Sequence, residues 1–490
     1  MSDTVDPRQD EKRADTGFFG QPFALANLFG VEMWERFSFY GMQGILIYYL
    51  YYSAADGGLG ISEASATSIV GAYGGTVYLS TILGAWIADR LLGSERTLFY
   101  SAVLVMLGHI ALAVFPGLWG VGVGLVCVAF GSGGLKANAT SLVGDLYDEH
   151  DERRDAGFSI FYMGINLGAL VGPLLTGWAQ DTMGFHAGFA LAAVGMAFGL
   201  AQYTLGRKHL RGIGATAPNP LPSDQRTKWI AIAAAAVIVI AAACLTGLVT
   251  TSNMSDVVVA LTVVAAVGYF AIILSSRRIT AIERSRVYAF IPMFIASAVF
   301  WSLFQQQFTM VALFADKRLD RNLFGWDFPP SWVQSINPVF IIIFAGVFAA
   351  AWTKLGPRQP SSPVKFAMGT MIMGLAFLAF IPMSGGGANS APLLGLCGIL
   401  LLFTFAELLL SPVGLSLSTK LAPEAFHTQM VALFFLSVAL GTAMAGTLAG
   451  FYNENNEVPY FTAIGVGSIA VGVLLAVGSP WIKRLMKGVH

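Results

Sequence analysis

Apolar runs of about 20 residues recur from one end of this 490-residue chain to the other, and nothing else in the sequence limits the fold as strongly. A run of that length crosses the hydrocarbon of a bilayer as a helix, because a helix satisfies its own backbone polar groups where no water can. Fourteen such runs can be counted, so the expected fold class is an all-α membrane protein with 14 spans. The chain is 56% hydrophobic and 11% charged, against about 25% charged residues in soluble domains. It has no basic stripe, which speaks against nucleic acid as a partner. Cys127, Cys244 and Cys397 are isolated within apolar runs, which argues against a disulfide framework or a metal site. The polar N-terminus lacks the apolar core of a signal peptide and is expected to be disordered.

Lys and Arg are unequally shared between the loops. One set of loops holds Arg90, Arg96, Arg153, Arg154, Arg207, Lys208, Arg277, Arg278 and Lys354, and the chain end adds Lys483 and Arg484. The opposite set holds only Lys317, Arg318 and Arg321. The positive-inside rule then places both termini in the cytoplasm and the chain in the cytoplasmic (inner) membrane as a multi-pass protein.

Within the first run lies Glu32-Met-Trp-Glu-Arg-Phe-Ser-Phe-Tyr40. A charge at mid-bilayer costs about 2.5–3.5 kcal/mol on insertion scales. Glu32, Glu35, Arg36 and Tyr40 fall on one helical face, turned toward a polar cavity or the protein interior. Two acids against one base either form a structural ion pair or include a carboxylate that takes up a proton. Lys136 stands alone in the run that holds Gly131-Ser-Gly-Gly-Leu-Lys136, and it faces a carboxylate or a wet cavity unless it snorkels to the cytoplasm. Asn166, in Phe158-Ser-Ile-Phe-Tyr162-Met-Gly-Ile-Asn166-Leu-Gly168, is a polar handle or helix–helix glue. Asn337-Pro338 reads as a kink with a polar side chain beside it. Glu407, in Phe405-Ala-Glu407-Leu-Leu-Leu-Ser411-Pro412, reads as a ligand for a cation or an amine, or else as a neutral core acid. Asp89 and Arg90 lie in Gly84-Ala-Trp-Ile-Ala-Asp89-Arg90-Leu-Leu-Gly93, where Gly84 permits close helix packing and Asp89, at a cytoplasmic helix end, pairs with an Arg of a neighbouring helix as a conformational latch or makes an ordinary surface ion pair.

In this order these motifs resemble those of the proton-dependent oligopeptide transporters, a branch of the major facilitator superfamily, and of the prokaryotic type. The resemblance implies two pseudo-symmetric six-helix bundles with two extra transmembrane helices between them, working by alternating access. The expected limits are a cytoplasmic tail at 1–21, a bundle at 22–206, a linker at 207–227, the extra helices at 228–276, a linker at 277–287, a bundle at 288–482 and a tail at 483–490. The expected function is proton-coupled import of di- and tripeptides, with nitrate or a drug-like amphiphile as the alternative cargo. Glu32, Glu35 and Arg36 would couple the proton. Arg36, Lys136 and Tyr40 would take the peptide carboxylate, and Glu407 with Asn166 and Asn337 the amine. Tyr78, Tyr162, Trp301, Gln305 and Phe434 would line side-chain pockets. Gln305 stands where members of the family often carry glutamate, which removes an acidic partner for Lys136. No enzyme motif is present: there is no His-Glu-x-x-His, no Gly-x-Ser-x-Gly and no phosphate loop. The histidines are scattered, with His150 and His209 in polar loops and none in the first two runs. No cofactor is expected, the proton gradient being the driving force. The expected partners are peptides, protons and the bilayer, and the chain is expected to be monomeric.

Overall fold

The structure is a computed structural model that describes residues 15–148 and 151–489. Most of the tail expected to be disordered, and His150, lie outside the described residues. The helices are α1 Phe23–Tyr51, α2 Glu63–Ile87, α3 Ser94–Val114, α4 Gly117–Asp145, α5 Arg154–Met183, α6 Phe185–Gly206, α7 Ser223–Leu245 and α8 Met254–Ser275. They continue with α9 Ala281–Phe304, α10 Ile336–Leu355, α11 Ser362–Leu378, α12 Leu393–Lys420, α13 His427–Ala449 and α14 Glu457–Leu485. Each expected span corresponds to one of these helices. From α3 onward, twelve spans are long and apolar enough to cross a membrane. The other two helices are α1, which carries the charged triad, and α2, which is rich in Ser, Thr, Gly and Tyr.

Local chemistry sets the ends. Gly93 (φ 82°) separates α2 from α3, and Gly184 (φ 91°) separates α5 from α6; both backbones are left-handed, where a side chain would clash. Thr280 and Glu283 form a capping box that starts α9. Two expectations change in detail. The first span of the second bundle is interrupted, because α9 gives way to a 3-10 turn at Gln305–Phe308 before the helical segment Met310–Lys317. At Asn337-Pro338 there is no mid-helix kink: a 3-10 turn, Pro330–Ser335, hands over to α10 at Ile336, so the proline sits in a first turn, where its missing N–H breaks no bond. Between them a small hairpin pairs β1 Asn322–Leu323 with β2 Trp326–Asp327.

The helices fall into two compact units, Met1–Ile45 with Ser80–Thr250, and Leu46–Leu79 with Thr251–His490. In the first, α3 packs on α4 and α6, and α5 lies on α1 through Gly168 and Gly172. In the second, α11 packs on α12 and α14, and α9 packs on α13. The same neighbour scheme thus occurs in both, as two six-helix bundles built on one plan require. Small residues allow the close crossings. A Cβ at Gly84 would strike the Gly134 backbone, and one at Gly71 would lie 2.5 Å from the Gly446 Cα. The extra helices divide between the units: the rings of Trp86 and Trp229 meet at a tilt, with centroids 4.8 Å apart, in the first, while Ser255 at the start of α8 bonds Ser68 and Thr447 in the second.

Candidate functional site

In the first unit the charged motif is held by backbone proximity. A Cβ at Gly168 would strike the Met33 carbonyl, and Thr176 Oγ1 donates to the Gly41 carbonyl at 2.8 Å. Gly195 and Gly199 of α6 make room for Phe37 and Trp34. The face opposite these contacts carries Glu32, Glu35 and Arg36, which are 1%, 0% and 1% exposed. Arg36 Nε donates to Glu32 Oε1 at 2.8 Å and lies 3.1 Å from Glu35 Oε2, close but not aligned for a hydrogen bond. Ser132 Oγ of α4 donates to Glu35 Oε1 at 2.6 Å. Glu32 Oε2, Glu35 Oε2 and Arg36 Nη2 are sealed from solvent without a hydrogen-bond partner. Two carboxylates therefore face one guanidinium nitrogen and leave donor and acceptor capacity unused, and a proton on either carboxylate would turn one of its acceptors into a donor.

Lys136 lies one turn beyond Ser132 on α4, within electrostatic range of Arg36, Tyr40, Glu35 and Glu32. Tyr40 is half-buried. Asn166 is buried and donates to the Tyr162 carbonyl of its own helix at 2.9 Å. Tyr162 is exposed. Asp89, exposed, and Arg90 occupy a π turn after α2, and their carbonyls accept from the Asn219 and Leu221 amides at 3.0 and 2.8 Å.

In the second unit Asn337 bridges two helices. Its Nδ2 donates to Thr404 Oγ1 at 3.0 Å, and its side chain hydrogen-bonds the Glu407 carboxyl. Glu407 Oε2 is sealed and unpartnered, on a helix that runs unbroken through Pro412. Trp301 is buried in edge contact with Phe300 and Phe304, and its indole N–H has no acceptor. A Cβ at Gly441 would lie 2.6 Å from the Trp301 Cβ, and one at Gly414 would lie 2.5 Å from Phe434. Gln305 is buried at the start of the 3-10 turn. Tyr78 is half-buried.

Three further groups belong to the site region. Ser132 lies within the glycine motif of α4, and its place one turn before Lys136 is its signal in the sequence. Thr404 lies three residues before Glu407 in the same way. The third is a polar cluster in the second unit. Tyr51 and Tyr52 both donate to the Asp316 carboxylate, the latter at 2.7 Å. Lys317 pairs with Glu63 and with Glu454, the latter at 2.8 Å. Arg318 meets Glu457, which also accepts from Tyr452. These partners are far apart in sequence, so no local pattern announces them. Among the described residues no cluster of three or more His, Cys, Asp or Glu side chains has metal-site geometry.

A profile of the POT family matches residues 95–466. A relative from Bacillus subtilis (strain 168) called an uncharacterized transporter, YclF, is 45% identical over 96% of this chain and 96% of its own length. The di-/tripeptide transporter of Lactococcus lactis subsp. cremoris is 40% identical over 98% of this chain and all of its own. A crystal structure of a peptide transporter POT in complex with sulfate superimposes with a TM-score of 0.93 at 45% identity, covering 99% of this chain and 100% of that one. With the fold and the motifs in agreement, the chain belongs to the POT family, the proton-dependent oligopeptide transporters of the major facilitator superfamily.

Proposed function

We propose that this chain is a proton-coupled symporter that imports di- and tripeptides by alternating access. The observation that carries the reading is the Glu32–Glu35–Arg36 set, with one guanidinium nitrogen faced by two carboxylates and three polar atoms left unpartnered. Protonation of Glu32, with Glu35 as its alternate, frees Arg36 to take the peptide carboxylate together with Lys136 and Tyr40. Glu407, aided by Asn337 and Asn166, takes the peptide amine. Tyr78, Tyr162, Trp301, Gln305 and Phe434 line tolerant side-chain pockets, since aromatic walls discriminate by area. Loss of the proton lets Glu32 recapture Arg36 and release the peptide. Asp89 and Arg90 latch one conformation. Nitrate or a drug-like amphiphile is the weaker reading, because nitrate gives Glu407 nothing to bind.

The chain lies in the cytoplasmic membrane as a monomer with both termini in the cytoplasm, divided at the limits given above, and it needs no cofactor. The name of the Lactococcus relative supports the cargo. The loop asymmetry supports the orientation. The test is uptake of labelled dialanine into proteoliposomes under an inward proton gradient. Concentrative uptake blocked by unlabelled tripeptide, but not by free alanine or nitrate, is expected. No peptide uptake would overturn the cargo, and uptake without accumulation would overturn the coupling.

A further inference from the structure

The start of α9 and the end of α14 meet at one end of the second unit. Ser285 Oγ donates to the Leu485 carbonyl at 2.9 Å, and Arg286 Nη2 reaches the Lys487 carbonyl at 3.4 Å. Arg284 Nη2 reaches back to the Ser276 carbonyl at 3.1 Å, which draws Arg277 and Arg278 to the same place. Lys483, Arg484 and Lys487 complete the group, and these three, like Arg277 and Arg278, are exposed. None of the seven forms an ion pair among the described residues. Two acids lie close by against the seven cations: Glu283, held by the Thr280 hydroxyl and amide and by the Glu424 amide and within electrostatic range of Arg286, and Glu424, an exposed carboxylate. The Nε–H donors of Arg284 and Arg286 are buried without an acceptor.

The same helices carry aromatic and apolar side chains on the membrane side of this cluster. Tyr288 follows Arg284 by four residues and Trp481 precedes Arg484 by three, so each ring shares a face with its guanidinium. Both rings are exposed. Guanidiniums with amphipathic rings one turn deeper in a membrane helix match a phospholipid, with its phosphate at the cations and its acyl chain along the rings. A soluble phosphate would use the cations and leave the rings without a role.

We infer that the junction of α9 and α14 is a binding site for an anionic phospholipid, which holds the two ends of the second bundle together. The test is native mass spectrometry of the full-length protein, titrated separately with phosphatidylglycerol, phosphatidylcholine and glycerol phosphate. Phosphatidylglycerol is expected to be retained in preference to phosphatidylcholine. Each cation contributes about fivefold, so Arg284→Gln with Arg286→Gln should weaken retention about 25-fold. Lys483→Gln with Arg484→Gln tests the same site through exposed residues whose loss leaves the helices intact. Arg226→Gln with Lys228→Gln, at the start of α7, should leave retention unchanged. Trp481→Ala should weaken the lipid and spare glycerol phosphate. Equal retention of the two lipids, equal loss in the α7 control, or glycerol phosphate competing as well as the lipid would each overturn the assignment.

Discussion

Glu407→Gln isolates the amine end of the proposed site. The substitution keeps the side-chain shape and an acceptor for Asn337, while the Asn337–Thr404 bond is untouched. Glu407 Oε2 has no partner to lose, so the fold should stand. What disappears is the charge that meets the peptide ammonium. A hydrogen bond to a charged group contributes about 1.5–3 kcal/mol, which corresponds to roughly 10- to 150-fold in apparent affinity. The assay is competition against labelled dialanine in proteoliposomes, using dialanine and its analogue without the amino group as competitors. Wild-type protein should prefer dialanine by that factor, and the variant should bind the two nearly alike, with the analogue's affinity unchanged from wild type. If the variant weakens both competitors equally, Glu407 acts on the fold or the conformational cycle and the amine assignment fails. If it weakens neither, the ammonium is held elsewhere.

Glu32→Gln should abolish proton-driven accumulation while leaving counterflow exchange of peptide, and full accumulation by this variant would remove Glu32 from the coupling. Gly168→Val should drive a branched side chain into the α1 backbone at Met33; overpacking of this kind costs about 1–3 kcal/mol or more, read as lost yield of monodisperse protein, and a normal yield would show that the crossing is looser than described. Tyr51→Phe with Tyr52→Phe removes both phenol donors to Asp316, at about 1.5–3 kcal/mol each. In a background without native cysteines, a cysteine at the buried Leu50 should then react faster with a membrane-impermeant thiol reagent, and an unchanged rate would show that these bonds do not keep the end of α1 packed.

The charged residues of α1 were legible because charge inside an apolar run is too costly to be accidental. Their one-face spacing follows from helical periodicity alone, and the structure brings Glu32, Glu35 and Arg36 within bonding distance as that spacing requires. Gly84 likewise signalled a close crossing, and it meets Gly134. Ser132 and Thr404 stand out only by their spacing from Lys136 and Glu407, because a hydroxyl in an apolar helix can bond its own preceding carbonyl at little cost and does not by itself announce a partner across the bundle.

Span number, helix ends, the family and the identity of the costly polar groups are properties of the sequence by itself, since each arises from local hydropathy, turn chemistry or short spacing. Tertiary structure alone decided which polar group answers which. Ser132 reaches Glu35 across 97 positions, and Tyr52 reaches Asp316 across 264. Tertiary packing alone also assigned the two ends of α1, the two ends of α2 and the two extra helices to different compact units. In a bilayer every helix is surrounded by apolar surface whichever neighbour it has, so hydropathy does not choose partners. Small-residue contacts and hydrogen bonds make that choice, and they exist only once the helices have met.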